Sequence, residues 1–270
     1  MTRARIGAAL AVLLALAGCR TAPTLQRLPS GDPRPDRLLA DWAHAVDGRT
    51  ALRGTARLAV DADASGRAGR DVRWRSRQAL VIARPARLRV ELRGMLGDTL
   101  AVFATDGARY ELFQAADRSY ESGPAHDSLL WEVARIALTP ADAVEVILGV
   151  PQLSDALSPS AAFDAGDGRV RIALSDAASR LRRQVEFDAE GRLRWLQERR
   201  AGAVVWEVHF DDYAPVANAP LAHRLSIETD RGGARALLTL SDVELNPELS
   251  PSIFRLEALA TGAPHAAGGD

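Results

Sequence analysis

The 270-residue sequence contains no lysine and a single cysteine, Cys19. All 34 residues counted as Lys+Arg are therefore arginine, and their scatter over many segments, with no single patch in sequence, reads as a base-composition bias of the source. One cysteine excludes a disulfide framework, so any domain facing an oxidising compartment is held by its core alone. A formal net charge of -1 leaves no basic excess to suggest nucleic acid or an anionic lipid surface as partner. The longest N-terminal apolar run, Ile6 to Ala17, is about a dozen residues, short of the roughly 20 that a membrane-crossing helix needs. There is no GxSxG elbow, no phosphate-binding glycine loop and no GxGxxG fingerprint. The five histidines, His44, His126, His209, His223 and His265, have no HxxxH or HExxH spacing, so neither a metal site nor a cofactor is expected. His209 with Asp211 and Asp212 is the nearest approach to an acid/base cluster, and it reads as a strand end leading into a polar turn.

What is present begins at the N-terminus. Arg3 and Arg5 precede the apolar run, and Leu16-Ala17-Gly18-Cys19 spells L-A-G-C, which resembles the bacterial lipobox. The expectation is a signal peptide over residues 1–18 and diacylglycerol on the Cys19 thiol; an outer-membrane, periplasm-facing location is what the resemblance implies, since Arg20 stands where the familiar inner-membrane retention signal has Asp. Loss of Arg3 and Arg5 would leave 32 basic against 35 acidic residues, a net charge of -3. Residues 19–35 are proline-rich and without periodicity, which predicts a flexible lipidated tether. A domain is expected over 36–260, opening on a short helix from Asp36 to Val46, and 261–270 reads as a disordered tail.

Between these ends the dominant period is two. Val72 and Trp74, then Leu80 and Ile82, alternate with Arg73, Arg75 and Arg77; Leu88, Val90 and Leu92 alternate with Arg87, Arg89, Glu91 and Arg93; Val170, Ile172 and Leu174 alternate with Arg169 and Arg171. Such segments are half-buried antiparallel strands, and short Gly, Pro and Asp turns between them imply hairpins. About eleven or twelve strands are expected, in one meander without βαβ units. The meander is interrupted once. Asp127 or Ser128 can cap a helix bearing Leu129, Leu130, Val133 and Ile136, and Thr139, Pro140 and Asp142 open a second, which Gly149 closes.

A sheet with one apolar face either closes into a barrel or curls under a cover, and the helical insert favours the second, so the fold class expected is mainly β: a single curved antiparallel sheet forming an unclosed half-barrel, lidded by the helices. The candidate cavity walls are Trp74, Leu88, Val90, Leu92, Leu100, Val102, Leu130, Val133, Ile147, Leu148, Val170 and Ile172. Trp195 and Trp206, also on predicted strands, read as core or cavity wall. Met95 and Leu96, adjacent apolar residues between Gly94 and Gly97, are expected at an exposed hairpin tip.

The stretch from Leu88 to Pro151, with LRVELRGMLGDTLAVFATDGARYEL, Tyr120 and a helical insert ending in ILGVP, resembles the LolA/LolB lipoprotein-localisation family. The features that carry it are Leu96-Gly97 with Asp98-Thr99, and Ile147-Leu148-Gly149 with Pro151; Trp42 followed by Arg53-Gly54-Thr55-Ala56 is similar to the family's first strand and its approach. The C-terminal segment with Asn246, Pro247 and Phe254 is similar to the broader group of LolA-like lipoproteins. The resemblance implies an open barrel of about eleven strands whose apolar cavity accepts lipoprotein acyl chains or a similar lipid. It also implies a periplasmic carrier of the LolA type as partner, and a working role for Leu96 in inserting cargo into the membrane. A packed interior, with the sheet used to sense or bind a partner protein of the envelope, is the alternative.

Overall fold

The computed structural model describes residues 25–62, 72–151, 157–176, 181–217, 219–229 and 234–256. Cys19, the segment 1–18 and the tail 261–270 lie outside the described residues.

The alternating segments become strands of a single antiparallel sheet. In chain order they are β1 (Gln26–Arg27), then helix α1 (Arg34–Val46), β2 (Ala51–Ala62), β3 (Val72–Ala83), β4 (Arg87–Arg93), β5 (Thr99–Thr105), β6 (Arg109–Gln114) and β7 (Ser119–Pro124). Helices α2 (Leu129–Ala134) and α3 (Pro140–Leu148) follow. The chain then forms β8 (Leu157–Gly166), β9 (Arg169–Asp176), β10 (Leu181–Phe187), β11 (Leu193–Arg200), β12 (Ala203–Val216), β13 (Ala219–Thr229) and β14 (Arg235–Leu245), and a 3-10 turn at Pro251–Phe254. The sheet order is β1-β8-β9-β10-β11-β12-β13-β14-β2-β3-β4-β5-β6-β7. Two meanders, β2 to β7 and β8 to β14, are therefore joined where β14 pairs with β2, and the sheet stays open between β7 and β1.

The sheet has fourteen strands rather than about eleven. One of the additions comes from the segment read as a tether: Gln26 and Arg27 pair with Asp164 and Phe163, and the Leu28 amide donates to the Ala162 carbonyl at 2.9 Å. Backbone pairing at an edge needs no apolar side chain, so composition does not reveal it. The helix after it also starts before Asp36, at Arg34, whose amide donates to Asp32 Oδ1 at 3.0 Å.

The three helices cover one face of the sheet, the inner face, and the apolar sides of the strands meet them there. In the second meander this packing is dense. Trp42 of α1 lies 6.2 Å from Phe187 of β10, centroid to centroid, and Ile172, Phe187, Leu196, Val208 and Phe210 are fully buried in the same core. On the outer face the C-terminal segment runs back across the first meander. Phe254 packs on Ala51, Val81 and Ala83, while Leu256 packs on Val102, Ala104 and Tyr120. Arg89 Nη1 donates to the Ile253 carbonyl at 3.1 Å, Arg255 Nη2 to Asp106 Oδ2 at 2.8 Å, and the Leu256 amide to Glu111 Oε2.

Candidate functional site

Helix α3 is placed by interactions its sequence spells out. Thr139, extended, accepts the Asp142 amide at 3.0 Å on its hydroxyl and donates that hydroxyl to Asp142 Oδ2 at 2.8 Å. Gly149 ends the helix at φ 67 and returns its amide to the Glu145 and Val146 carbonyls, a conformation in which a Cβ would be strained. Arg49, buried on the link from α1 to β2, donates to the Leu148 carbonyl at 3.2 Å and to the Pro220 carbonyl at 2.8 Å, setting a cation at the helix C-terminus. Burial lowers the Arg49 pKa.

A second tie joins the start of α3 to the sheet. Arg183 of β10 donates to Glu198 Oε2 through Nη2 at 2.8 Å and Nε at 3.1 Å, and lies 3.4 Å from Asp142 Oδ1. Burial, and then the neighbouring Glu198 carboxylate, raise the Asp142 pKa above its ordinary value. Sequence reading missed this triad, because consecutive Arg182 and Arg183 carry no parity.

Held in this way, α2 and α3 stand off the first meander and leave a cavity of about 620 Å³, inside the roughly 300–1,000 Å³ range of small-ligand sites. The sheet wall includes Leu58, Trp74, Leu80, Leu88, Val90, Leu92, Ala101, Phe103 and Leu112, with Ile227 and Leu238 from β13 and β14; the helical wall includes Leu130, Val133, Val146 and Ile147. Gln78 is the buried polar group of the wall, its Nε2 donating to Ser76 Oγ at 2.8 Å.

Polar groups gather on the β6, β7 and α2 side. Tyr110 donates to Glu121 Oε1 at 2.5 Å, which pushes the phenol up to about 12. Ser128 donates to Glu132 Oε1 at 2.8 Å, with His126 Nδ1 3.2 Å from the same hydroxyl and His126 Nε2 3.7 Å from Glu132 Oε2. The serine proton is directed to the carboxylate, so the imidazole is not positioned to take it as a base would. His209 is half exposed on the outer face, while Asp211 is tied to Arg194 at 2.5 Å and Asp212 to Arg224 at 2.8 Å. Among the described residues no group of three potential metal ligands occurs, and no helix is long and apolar enough to cross a membrane.

Of the residues expected on the cavity wall, Trp74, Leu88, Val90, Leu92, Leu130, Val133 and Ile147 lie there. Five do not. Leu148, Val170 and Ile172 are buried in solid core rather than facing the void, the last two because they lie in the second meander, where β9 packs against α1. Val102 points to the outer face and packs under Leu256, and Leu100 is 49% exposed. The reason is register: Phe103 pairs with Val90 and Leu112 on the inner face, so its neighbour Val102 must point outward. Met95 and Leu96 are 98% and 97% exposed, at the tip of the hairpin closed by the Gly94 amide donating to the Asp98 carbonyl at 2.8 Å. Trp206 is fully buried, whereas Trp195 lies on the outer face with the Arg171 guanidinium 4.3 Å from its ring centre.

Comparison with solved structures gives the architecture its place. A LolA superfamily protein from Nitrosomonas europaea superposes with a TM-score of 0.52 at 11% identity, over 81% of this chain and 98% of that one. The fold is LolA/LolB-like. A domain described as an outer membrane lipoprotein-sorting protein from Vibrio parahaemolyticus matches at a TM-score of 0.49 and 12% identity, over 83% of this chain and 97% of that one. No family model matches the sequence, and no curated protein does.

Proposed function

We propose that this chain is a lipoprotein, tethered to the outer membrane through lipid on Cys19, that binds lipoprotein acyl chains or a similar lipid and helps deliver lipoproteins to the membrane without a covalent step. The observation that carries the reading is the void itself. Apolar walls from β2 to β6, with Ile227 and Leu238 of β13 and β14, face apolar residues of α2 and α3 across about 620 Å³, while β9 to β12 pack closely against α1. Exposed apolar walls are costly in water, and each methylene placed against them gains about 0.8 kcal/mol. A chain arriving from an equally apolar carrier gains little net energy, so small differences in cavity fit set the direction of transfer. The N. europaea likeness, to a LolA superfamily protein, supports a binding and carrier fold over a catalytic one.

The tip at Met95 and Leu96 supplies the delivery step in this reading, since two adjacent apolar side chains almost fully in water can enter a bilayer at little cost. A carrier of the LolA type would hand the cargo over, and no cofactor enters the scheme.

Mass spectrometry of lipid extracted from the purified chain tests the binding claim: an acylated ligand in near-stoichiometric amount is expected, and a ligand-free, stable protein would favour an envelope interaction protein using the same sheet. Metabolic palmitate labelling tests the anchor. Label is expected on the wild type and absent from Cys19→Ser; equal labelling of both would remove the lipoprotein claim.

A further inference from the structure

The sheet register sets three arginines in one row on the outer face: Arg57 of β2 directly opposite Arg77 of β3, and Arg77 directly opposite Arg93 of β4. Arg75, two residues from Arg77, shares the face. Like charges directly opposite one another destabilise a sheet. Three other arginines of this face are paired with carboxylates: Arg73 with Asp61 at 3.0 Å, Arg235 with Glu228 at 3.3 Å and Arg224 with Asp212 at 2.8 Å. In the row Arg93 has Glu91 at 3.4 Å, while Arg57, Arg75 and Arg77 are exposed and, among the described residues, have no carboxylate within ion-pair distance. The whole chain has a net charge of -1, so folding, not composition, creates this stripe.

The stripe ends beside an apolar tip. Gly94 follows Arg93 directly, and the hairpin then presents Met95 and Leu96 to solvent. β4 stops at Arg93, opposite Arg77, while β3 extends on past Arg75 to Val72, so the tip follows directly at the end of the arginine row. We infer that the outer face of β2 to β4 docks on a bilayer at the end away from Phe254, which packs on Ala51, Val81 and Ala83, with Arg57, Arg75 and Arg77 on anionic phospholipid headgroups while Met95 and Leu96 enter the acyl boundary. A guanidinium presents forked donors that suit phosphate oxygens, and a soluble polyanion would give the neighbouring apolar tip nothing to bind. The inference rests on the proposed function only in taking the tip as the membrane-facing end.

Each arginine near an anionic surface strengthens binding about fivefold, so three together amount to about a hundredfold at low salt. The test uses the mature chain from residue 19 carrying Cys19→Ser, so that neither the signal peptide nor an acyl chain binds the vesicles. Vesicles of phosphatidylcholine are compared with vesicles of phosphatidylcholine and phosphatidylglycerol in a co-sedimentation assay. Binding to the anionic vesicles is expected to be about a hundredfold stronger and to weaken steeply with salt. The triple variant Arg57→Gln, Arg75→Gln, Arg77→Gln should lose that preference, melt no lower than its parent because like-charge repulsion is relieved, and still bind a fatty-acid probe. Leu96→Glu should weaken binding to both vesicle types. Equal binding of the parent to the two vesicles, or an unchanged preference in the triple variant, would overturn the inference. A parent that prefers anionic vesicles but binds no fatty-acid probe would sink the cavity reading and leave this surface standing.

Discussion

Leu96 and Ile172 are both aliphatic residues that the pattern of the chain singles out, and their surroundings give opposite expectations. Leu96 is 97% exposed, so Leu96→Glu should change stability by no more than about 0.5 kcal/mol while abolishing delivery of lipoproteins to vesicles. A stable variant with full transfer would remove the residue from the site. Ile172 is fully buried in solid core, so Ile172→Ala should cost about 2–5 kcal/mol and leave probe affinity in the folded fraction unchanged. Leu92, half-buried on the cavity wall, should behave in reverse: Leu92→Gln loses probe affinity with little change in melting temperature. The exposure of Leu96 was legible from its flanking glycines. The outward direction of Val102 was not, because Leu100-Ala101-Val102-Phe103-Ala104 is apolar at both parities and only pairing with β4 and β6 decides which side faces in.

At the scale of elements, α3 was legible in full, since Thr139, Pro140 and Gly149 each have a local physical role that needs no partner. Its attachment was not. The contacts of Arg183 with Glu198 and Asp142 bridge 15 and 41 residues of sequence, and alternating arginines look alike whether they face water or the core. This attachment has a pH signature. The Asp142 pKa is raised in the folded chain, so the fold holds that proton more tightly than the unfolded chain does. The stability this contributes is fully present below the ordinary value of 3.8 and is lost as pH rises through the raised folded value. Melting curves should therefore show a decrement across that window in the wild type that is absent in Asp142→Asn; parallel curves for the two proteins would exclude Asp142 as its source. The β1 edge strand escaped sequence reading for a different reason: Gln26 and Arg27 are both exposed and pair through the backbone, and only the adjacent Leu28 packs on the core.

For the whole molecule, period-two alternation announced the antiparallel sheet and the single helical insert announced its cover. Alternation also announced an apolar face, but it could not say which half of that face would be filled. The answer depends on where α1 lands, and Trp42 against Phe187 closes the second meander while α2 and α3 only roof the first. The outer arginine stripe was hidden in the same way, because Arg57, Arg77 and Arg93 are neighbours in register and strangers in sequence. The central claim is that the roofed half holds a lipid chain, and its most direct measurement is a fluorescence titration of the purified chain with an environment-sensitive fatty acid. Saturable one-site binding, displaced by unlabelled fatty acid and lost in Ala101→Trp without loss of fold, is the result expected; a flat titration of the correctly folded wild type would contradict it.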